Sequence, residues 1–160
     1  MVSDTSPIRA LQALERIDVL SAMYGRVLVP PAVERELAFA APVVGPFVVA
    51  DHPEFEVRSP RDIQRVSSLR VSLGAGEAEA ISLAIETNAD LLLVDDLRGR
   101  KAAVSLGLAT AGVLSVLVSA KSRGLVDRVG PLLSVLEDRL NFRVSADLRS
   151  RVLRDADESE

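Results

Sequence analysis

The chain has no cysteine and no tryptophan, a single histidine, one tyrosine and four phenylalanines among 160 residues. Without cysteine there is no disulfide framework, no thiolate nucleophile and no cysteine metal site, and a reducing compartment is permitted. With His52 alone, multi-histidine zinc sites are excluded, and a Ser-His-Asp arrangement would have to rest on that one residue. Aromatics at 3% argue against a broad platform for stacking single-stranded bases. Nineteen basic residues against 23 acidic ones, net charge −4, exclude a globally basic surface for nonspecific duplex binding, while local basic patches stay possible. The opening MVSDTSP has neither a basic segment nor an apolar run, so no signal peptide and a cytoplasmic location are expected. Residues 102–120 carry no charge, but Gly107 and Gly112 divide them and serines dilute them, which fits a buried helix-strand-helix passage better than a membrane span.

What the chain does have is aliphatic bulk: 48% of it is apolar, dominated by Ala, Val and Leu, enough for a core packed between layers. Ser6-Pro7 reads as a helix start, preceded by a very short strand in residues 1–5. A helix from Asp18 to Tyr24 stops at Gly25, RVLVP is a buried strand, and PAVEREL opens another helix at Pro31. Residues 40–60 are broken by prolines and read as a loop with one or two short strands, FEVRS being the better one. Then GAGEAEAISLAIETNA is a helix, LLLVDD a buried strand, GRKAAVSLG a helix stopped by Gly107, and LATA a strand. GVLSVLVSAKSRG, GPLLSVLEDRL and SADLRSRVLRDADE are C-terminal helices. Strands this apolar, alternating with helices, predict a three-layer α/β/α sandwich around a parallel sheet. We read residues 1–160 as a single domain, with the C-terminal helices from about residue 131.

Ligands of an open parallel sheet bind beyond the carboxyl ends of its strands. Asp4 ends the first strand, and Asp95 and Asp96 end LLLV. Each is also a good helix cap, but several acids at one edge repel unless a cation or protons neutralise them. In GEAEAISLAI the apolar stripe contains Ala78, Ile81, Ala84 and Ile85, with Glu77 near its centre and Glu79 and Glu86 on the far side. In PAVEREL, Glu34 and Glu36 flank the inward Val33 and Leu37, so periodicity does not choose between them. Carboxylates without His or Cys describe a hard-cation site for Mg²⁺ or Mn²⁺, suited to phosphodiester chemistry. GAGEAE lacks the third glycine of a dinucleotide fingerprint, there is no Walker lysine, and the VDD pair follows a later strand than in phospho-receiver domains. His52, in the irregular loop, is expected to be exposed and inert.

VSDTSP, PPAVEREL, GAGEAEAISLA and LLLVDDLRGRKAA, in that order and at these separations, resemble the PIN-domain ribonucleases. The resemblance covers residues 1 to roughly 125 and is nearest to a predicted nucleic-acid-binding branch close to the VapC-type toxins. It implies a small α/β/α domain, an acidic pocket for one or two Mg²⁺ or Mn²⁺ ions, and endonucleolytic cleavage of RNA. It further implies the toxin role of a toxin–antitoxin pair, a homodimer, and a small antitoxin whose C-terminal segment enters the pocket through an Arg or Lys. The apolar content of GVLSVLVSA and GPLLSVL also points to a dimer. By the resemblance Asp4 matches the first acid, Ser6 its accompanying hydroxyl, Glu36 the acid after the second strand, and Glu77 the acid opening the central helix. Asp95 and Asp96 stand at the last acidic position. There most relatives place a Ser or Thr two residues before an Asp, whereas this chain has VDD with Leu97 in the later place. Either one ligates the metal, and Asp95 is preferred because it directly ends the strand. Arg98, Arg100 and Lys101 beside them contact substrate phosphates or form a solvated basic first turn. The alternative to an active ribonuclease is an inactive PIN-like domain that binds RNA or a partner.

Overall fold

The computed structural model describes residues 1–159; Glu160, the end of the expected domain, lies outside them. Five short strands form one parallel sheet: β1 (Val2–Ser3), β2 (Val27–Val29), β3 (Phe55–Val57), β4 (Leu92–Leu93) and β5 (Thr110–Ala111), in the order β3-β2-β1-β4-β5. Val2 of β1 lies beside Leu28 on one side and Leu92 on the other. The described helices are α1 (Thr5–Ala13), α2 (Asp18–Tyr24), α3 (Pro31–Ala38), α4 (Ile63–Leu69), α5 (Ala75–Glu86), α6 (Leu97–Ser105), α7 (Val113–Ser122), α8 (Gly130–Leu140) and α9 (Ala146–Asp155).

Successive strand residues point to opposite faces, and the chain fills both. Val27, Val29 and Leu93 meet Ile8 and Leu11 of α1, Val116 and Leu117 of α7, and Leu133 and Leu136 of α8. On the other face Val2, Leu92 and Val94 meet Ala80, Ile81 and Ala84 of α5 and Ala103 of α6. Small aliphatic side chains therefore build two cores, and the expected α/β/α layering around a parallel sheet is the observed one. A 3₁₀ turn at Val49–Asp51 precedes β3, within the proline-broken stretch.

Several local expectations change. Helix α1 begins at Thr5 with Asp4 in the N-cap position, two residues before the Ser6-Pro7 start; Pro7 falls in the first turn, where a missing N–H costs nothing. Helix α4 is not among the expected elements: Ile63, Val66 and Leu69 repeat at helical spacing, but the stripe is short and none of its residues is fully buried; Asp62 caps it by accepting from Arg65 N at 2.9 Å. His52 is not exposed: its ring stacks on Phe47 at 4.3 Å and meets Phe55 edge-on at 6.0 Å. The uncharged stretch 102–120 covers the end of α6, β5 and most of α7, and among the described residues no helix is long and apolar enough to cross a membrane. Val113, Val116, Leu117 and Ala120 of α7 and Leu133 and Leu136 of α8 are buried in the chain's own core, so these stripes no longer argue for a dimer.

Candidate active site

The strand order runs outward from β1 to β2 and β3 on one side and to β4 and β5 on the other, so the chain reverses direction between β1 and β4. At such a switch point the loops leaving adjacent strands diverge and open a crevice at their carboxyl ends. Asp4 leaves β1 at this point, 4% exposed, with its N–H donating to Leu93 O at 2.9 Å. Its side chain does not cap α1. Asp95 follows Val94 at the end of β4; its Oδ1 accepts from Val113 N at 2.8 Å, and its Oδ2 is buried with no partner.

Two glutamates approach through glycines. Glu36, from the last turn of α3, accepts the Thr5 hydroxyl and, at 3.2 Å, the N–H of Gly76. A Cβ on Gly76 would lie 2.9 and 3.0 Å from the Glu36 carboxylate oxygens and 3.1 Å from Asp4 Oδ1, so the bare backbone there lets both acids border one point. Glu77 is the third residue of α5 and accepts from Gly74 N at 3.0 Å, the reciprocal half of a capping box. Its Oε1 lies 3.0 Å from where Gly99 would carry a Cβ, so a side chain at that position of α6 would push the carboxylate away.

These acids crowd one another. Burial raises the Asp4 carboxyl to about 7; the Thr5 N–H offsets part of this, while Glu77, Glu36 and Asp95 add to it. Burial also raises Glu77, helped by the neighbouring Asp96 and opposed by the Gly74 N–H and Arg98. Asp95 is raised by burial against the Val113 N–H and Arg100. Among the described residues no three acids stand close enough to form a ready-made metal cage. In kind they nonetheless fit a hard divalent cation: the donors are all carboxylate oxygens, Asp4 and Glu36 border one point, and Asp95 Oδ2 is buried without a partner.

A family model described as DUF3368, a PIN domain, matches residues 1–158. The chain belongs to the PIN-domain family. No curated protein and no solved structure matches it. PIN domains are generally nucleases and typically use divalent metals, so this chain has a nuclease-type fold with its acids where the sheet opens.

Within the PIN fold the sequence-derived positions separate into groups. Asp4, Glu36, Glu77 and Asp95 converge, with Asp4 facing the other three. Asp96 is the N-cap of α6: its Oδ2 accepts from Arg98 N at 2.8 Å and Gly99 N at 3.1 Å. Ser6 is exposed and lines a small cavity beside Asp95, while Thr5 is the hydroxyl that reaches an acid. Arg98 and Lys101 are exposed, but Arg100 turns inward, donating to Val94 O at 3.1 Å beside Asp95. Sequence reasoning missed Thr5, Gly76 and Gly99. A glycine inside the first turn of a helix, next to a candidate acid, costs helix propensity and is the signal that was available. It also missed Arg9, whose guanidinium donates to the carbonyls of Glu36 and Leu37 at 2.9 and 3.2 Å and to that of Phe39, fixing the end of α3 that carries Glu36.

Proposed function

We propose that the protein is a Mg²⁺- or Mn²⁺-dependent endoribonuclease that hydrolyses RNA phosphodiester bonds at the acid cluster. The observation that carries this is Asp4 at the switch point, whose carboxyl is raised to about 7 by burial first and then by the like charges of Glu77, Glu36 and Asp95. A purely capping role would satisfy each acid with backbone N–H groups instead of turning it toward others of like charge. Asp4, Glu77 and Asp95 would hold the ion, with Asp96 behind Glu77. Bound there, the ion supplies positive charge for the phosphoryl oxygens and lowers the pKa of a water. Glu36, steadied by Thr5 and Gly76, accepts a proton from the attacking water at its carboxylate. The water oxygen bonds to phosphorus and the opposite phosphorus–oxygen bond breaks, the leaving ribose oxygen taking a proton from solvent to depart as a hydroxyl. The toxin role, a small antitoxin and a homodimer rest on the motif resemblance alone. The one-domain reading is supported by the family match over 1–158 and by a core that joins α1 to α9.

The test is single-turnover cleavage of single-stranded RNA in saturating Mn²⁺. Glu77→Gln is expected to lower the rate by about 10²–10⁴ and EDTA to abolish it. Glu79→Gln is expected to leave the rate near wild type, because Glu79 is engaged elsewhere, accepting from Ala32 N at 2.8 Å and facing Arg35 at 3.8 Å. Equal activity of the two variants would remove Glu77 from the site. A folded wild-type protein that binds RNA without cutting it would leave the inactive binding module.

A further inference from the structure

Asp95 is shared by two cavities. One, of about 400 Å³, reaches toward Ser6, Arg9 and Asp96. The other, of about 510 Å³, runs away from the acids between α7, α9 and residues 141–145 and is lined by Arg100, Arg143, Arg151 and Asp155. Phe142 borders both. Its position follows from the end of α8: Asn141 takes a left-handed conformation, φ 53°, and the turned chain lets Phe142 N donate to Leu136 O at 3.2 Å.

The charges in this groove are of two sorts. Arg100 is committed to Val94 O and lies beside Asp95, yet its Nε, like Asp95 Oδ2, is buried with no partner. Arg143 and Arg151 are exposed and make no hydrogen bond or ion pair among the described residues, and Asp155 joins Asp95 in lining the same groove. Most other arginines of the molecule are spent: Arg26 and Arg58 on Glu56, Arg65 on Asp62, Arg149 on Glu137. Two unspent guanidiniums beside a half-buried ring, at the mouth of a groove that ends on an active-site acid, match one polyanion with flat bases. A basic polypeptide segment would meet repulsion from both arginines.

We propose that the groove guides one strand of nucleic acid out of the acid cluster, with Arg143 and Arg151 on its phosphates and a base stacked on Phe142. This deepens the ribonuclease reading and rests on it for the place of the scissile bond. A groove that carries charge along the backbone and one aromatic for stacking takes a single strand and reads little sequence. The groove would offer RNA unpaired positive charge beside an aromatic ring on a chain whose net charge is −4.

The experiment is fluorescence anisotropy of the full-length protein with a labelled single-stranded RNA twelve-mer in EDTA, where no cleavage occurs, over a range of salt. Arg143→Ala/Arg151→Ala is expected to weaken binding and to flatten the plot of log Kd against log salt by about 0.7 per lost phosphate contact. Phe142→Leu, which keeps the apolar contact with the core, is expected to weaken binding roughly five- to hundredfold with the salt slope unchanged. Arg61→Ala, in the separate basic concavity with Arg58 and Arg65, is the control and should bind like wild type. The proposal is overturned if the double variant binds like wild type, which would leave the groove to a polypeptide. It is equally overturned if Arg61→Ala costs as much, or if the wild type shows no binding. Because binding is read without metal, a protein that binds through these residues yet never cleaves sinks the ribonuclease reading and not the groove.

Discussion

Glu158 and Asp4 are acids at opposite ends of the chain, Asp4 enclosed where the sheet opens and Glu158 half-buried beyond the end of α9. Burial alone would raise both. Glu158, however, takes Lys121 Nζ at 2.8 Å, Val129 N at 2.6 Å and Gly130 N at 2.9 Å, and these donors hold its carboxyl at about 2. Asp4 has one helpful backbone donor, Thr5, and three acids against it, and stands at about 7. Deeper burial and fewer donors together set Asp4 apart from Glu158. An acid that ties α9 to the start of α8 is satisfied within the chain, whereas the acid at the switch point is left for something the chain does not contain. The comparison therefore sets Asp4 apart from a carboxylate that the chain itself satisfies, without reference to any relative.

The sharpest way to break this contrast is to neutralise Asp4. Asp4→Asn is expected to reduce metal-dependent RNA cleavage by about 10²–10⁴ and, at the same time, to stabilise the metal-free protein. The folded carboxyl at about 7 lies above its ordinary value of 3.8, so the native state holds the proton more tightly than the unfolded one and stability falls as pH rises from about 4 through 7. At pH 8 that cost is fully present, on the order of 2–4 kcal/mol, and the amide removes it. Melting in EDTA at pH 8 should rise by roughly 5–10 °C in the variant. Wild type should recover much of the difference on adding Mn²⁺, and the variant should gain less. A variant that melts at or below wild type in EDTA would show that the acids are not in conflict.

Glu158 should respond in the opposite sense. Glu158→Gln loses a charge-assisted bond to Lys121 and weakens the caps on Val129 and Gly130, and is expected to cost about 2 kcal/mol at pH 7 with cleavage unaffected. Its folded carboxyl, at about 2, lies below the ordinary 4.5, so the contribution is complete above about pH 5 and fades as pH falls toward 2. Denaturant titrations should accordingly show the gap between wild type and variant closing between pH 5 and pH 2. A gap that persists at pH 2 would assign the effect to packing.

The strands, most helices and the positions of Asp4, Glu77 and Asp95 were legible because each depends on local pattern: an apolar run, a 3.6 period, a residue that ends a strand. What was not legible depends on contacts between distant segments. Glu36 and Glu34 flank the same apolar stripe symmetrically, and only the Thr5 hydroxyl and the Gly76 N–H, 31 and 40 residues away, hold the exposed Glu36 beside Asp4. Thr5 and not Ser6 does so because α1 starts two residues earlier than Ser6-Pro7 suggested. His52 looked solvated because its partners Phe47 and Phe55 are brought onto it by the irregular loop. SADLRSRVLRDADE reads as one C-terminal helix, and nothing local announces that Glu158, beyond the observed end of α9 at Asp155, caps a helix 28 residues upstream.

The smallest expected effect decides between the two adjacent aspartates that sequence spacing left open. Asp96 has its Oδ2 committed to Arg98 N and Gly99 N, and asparagine caps a helix about as well as aspartate. Asp96→Asn should therefore change stability by no more than about 0.5 kcal/mol. It should lower cleavage less than about tenfold, because the charge it removes sits behind Glu77 rather than against Asp4. Asp95→Asn keeps an oxygen for Val113 N but replaces the buried, unpartnered Oδ2 or its charge, and should cost a hundredfold or more, on the order expected for a lost ligand. Both rates are read under single-turnover conditions in saturating Mn²⁺, with circular dichroism to confirm folding. Should Asp96→Asn prove as damaging as Glu77→Gln while Asp95→Asn is mild, the last acid of the site is Asp96, and the unpartnered oxygen of Asp95 belongs with Arg100 to the groove instead.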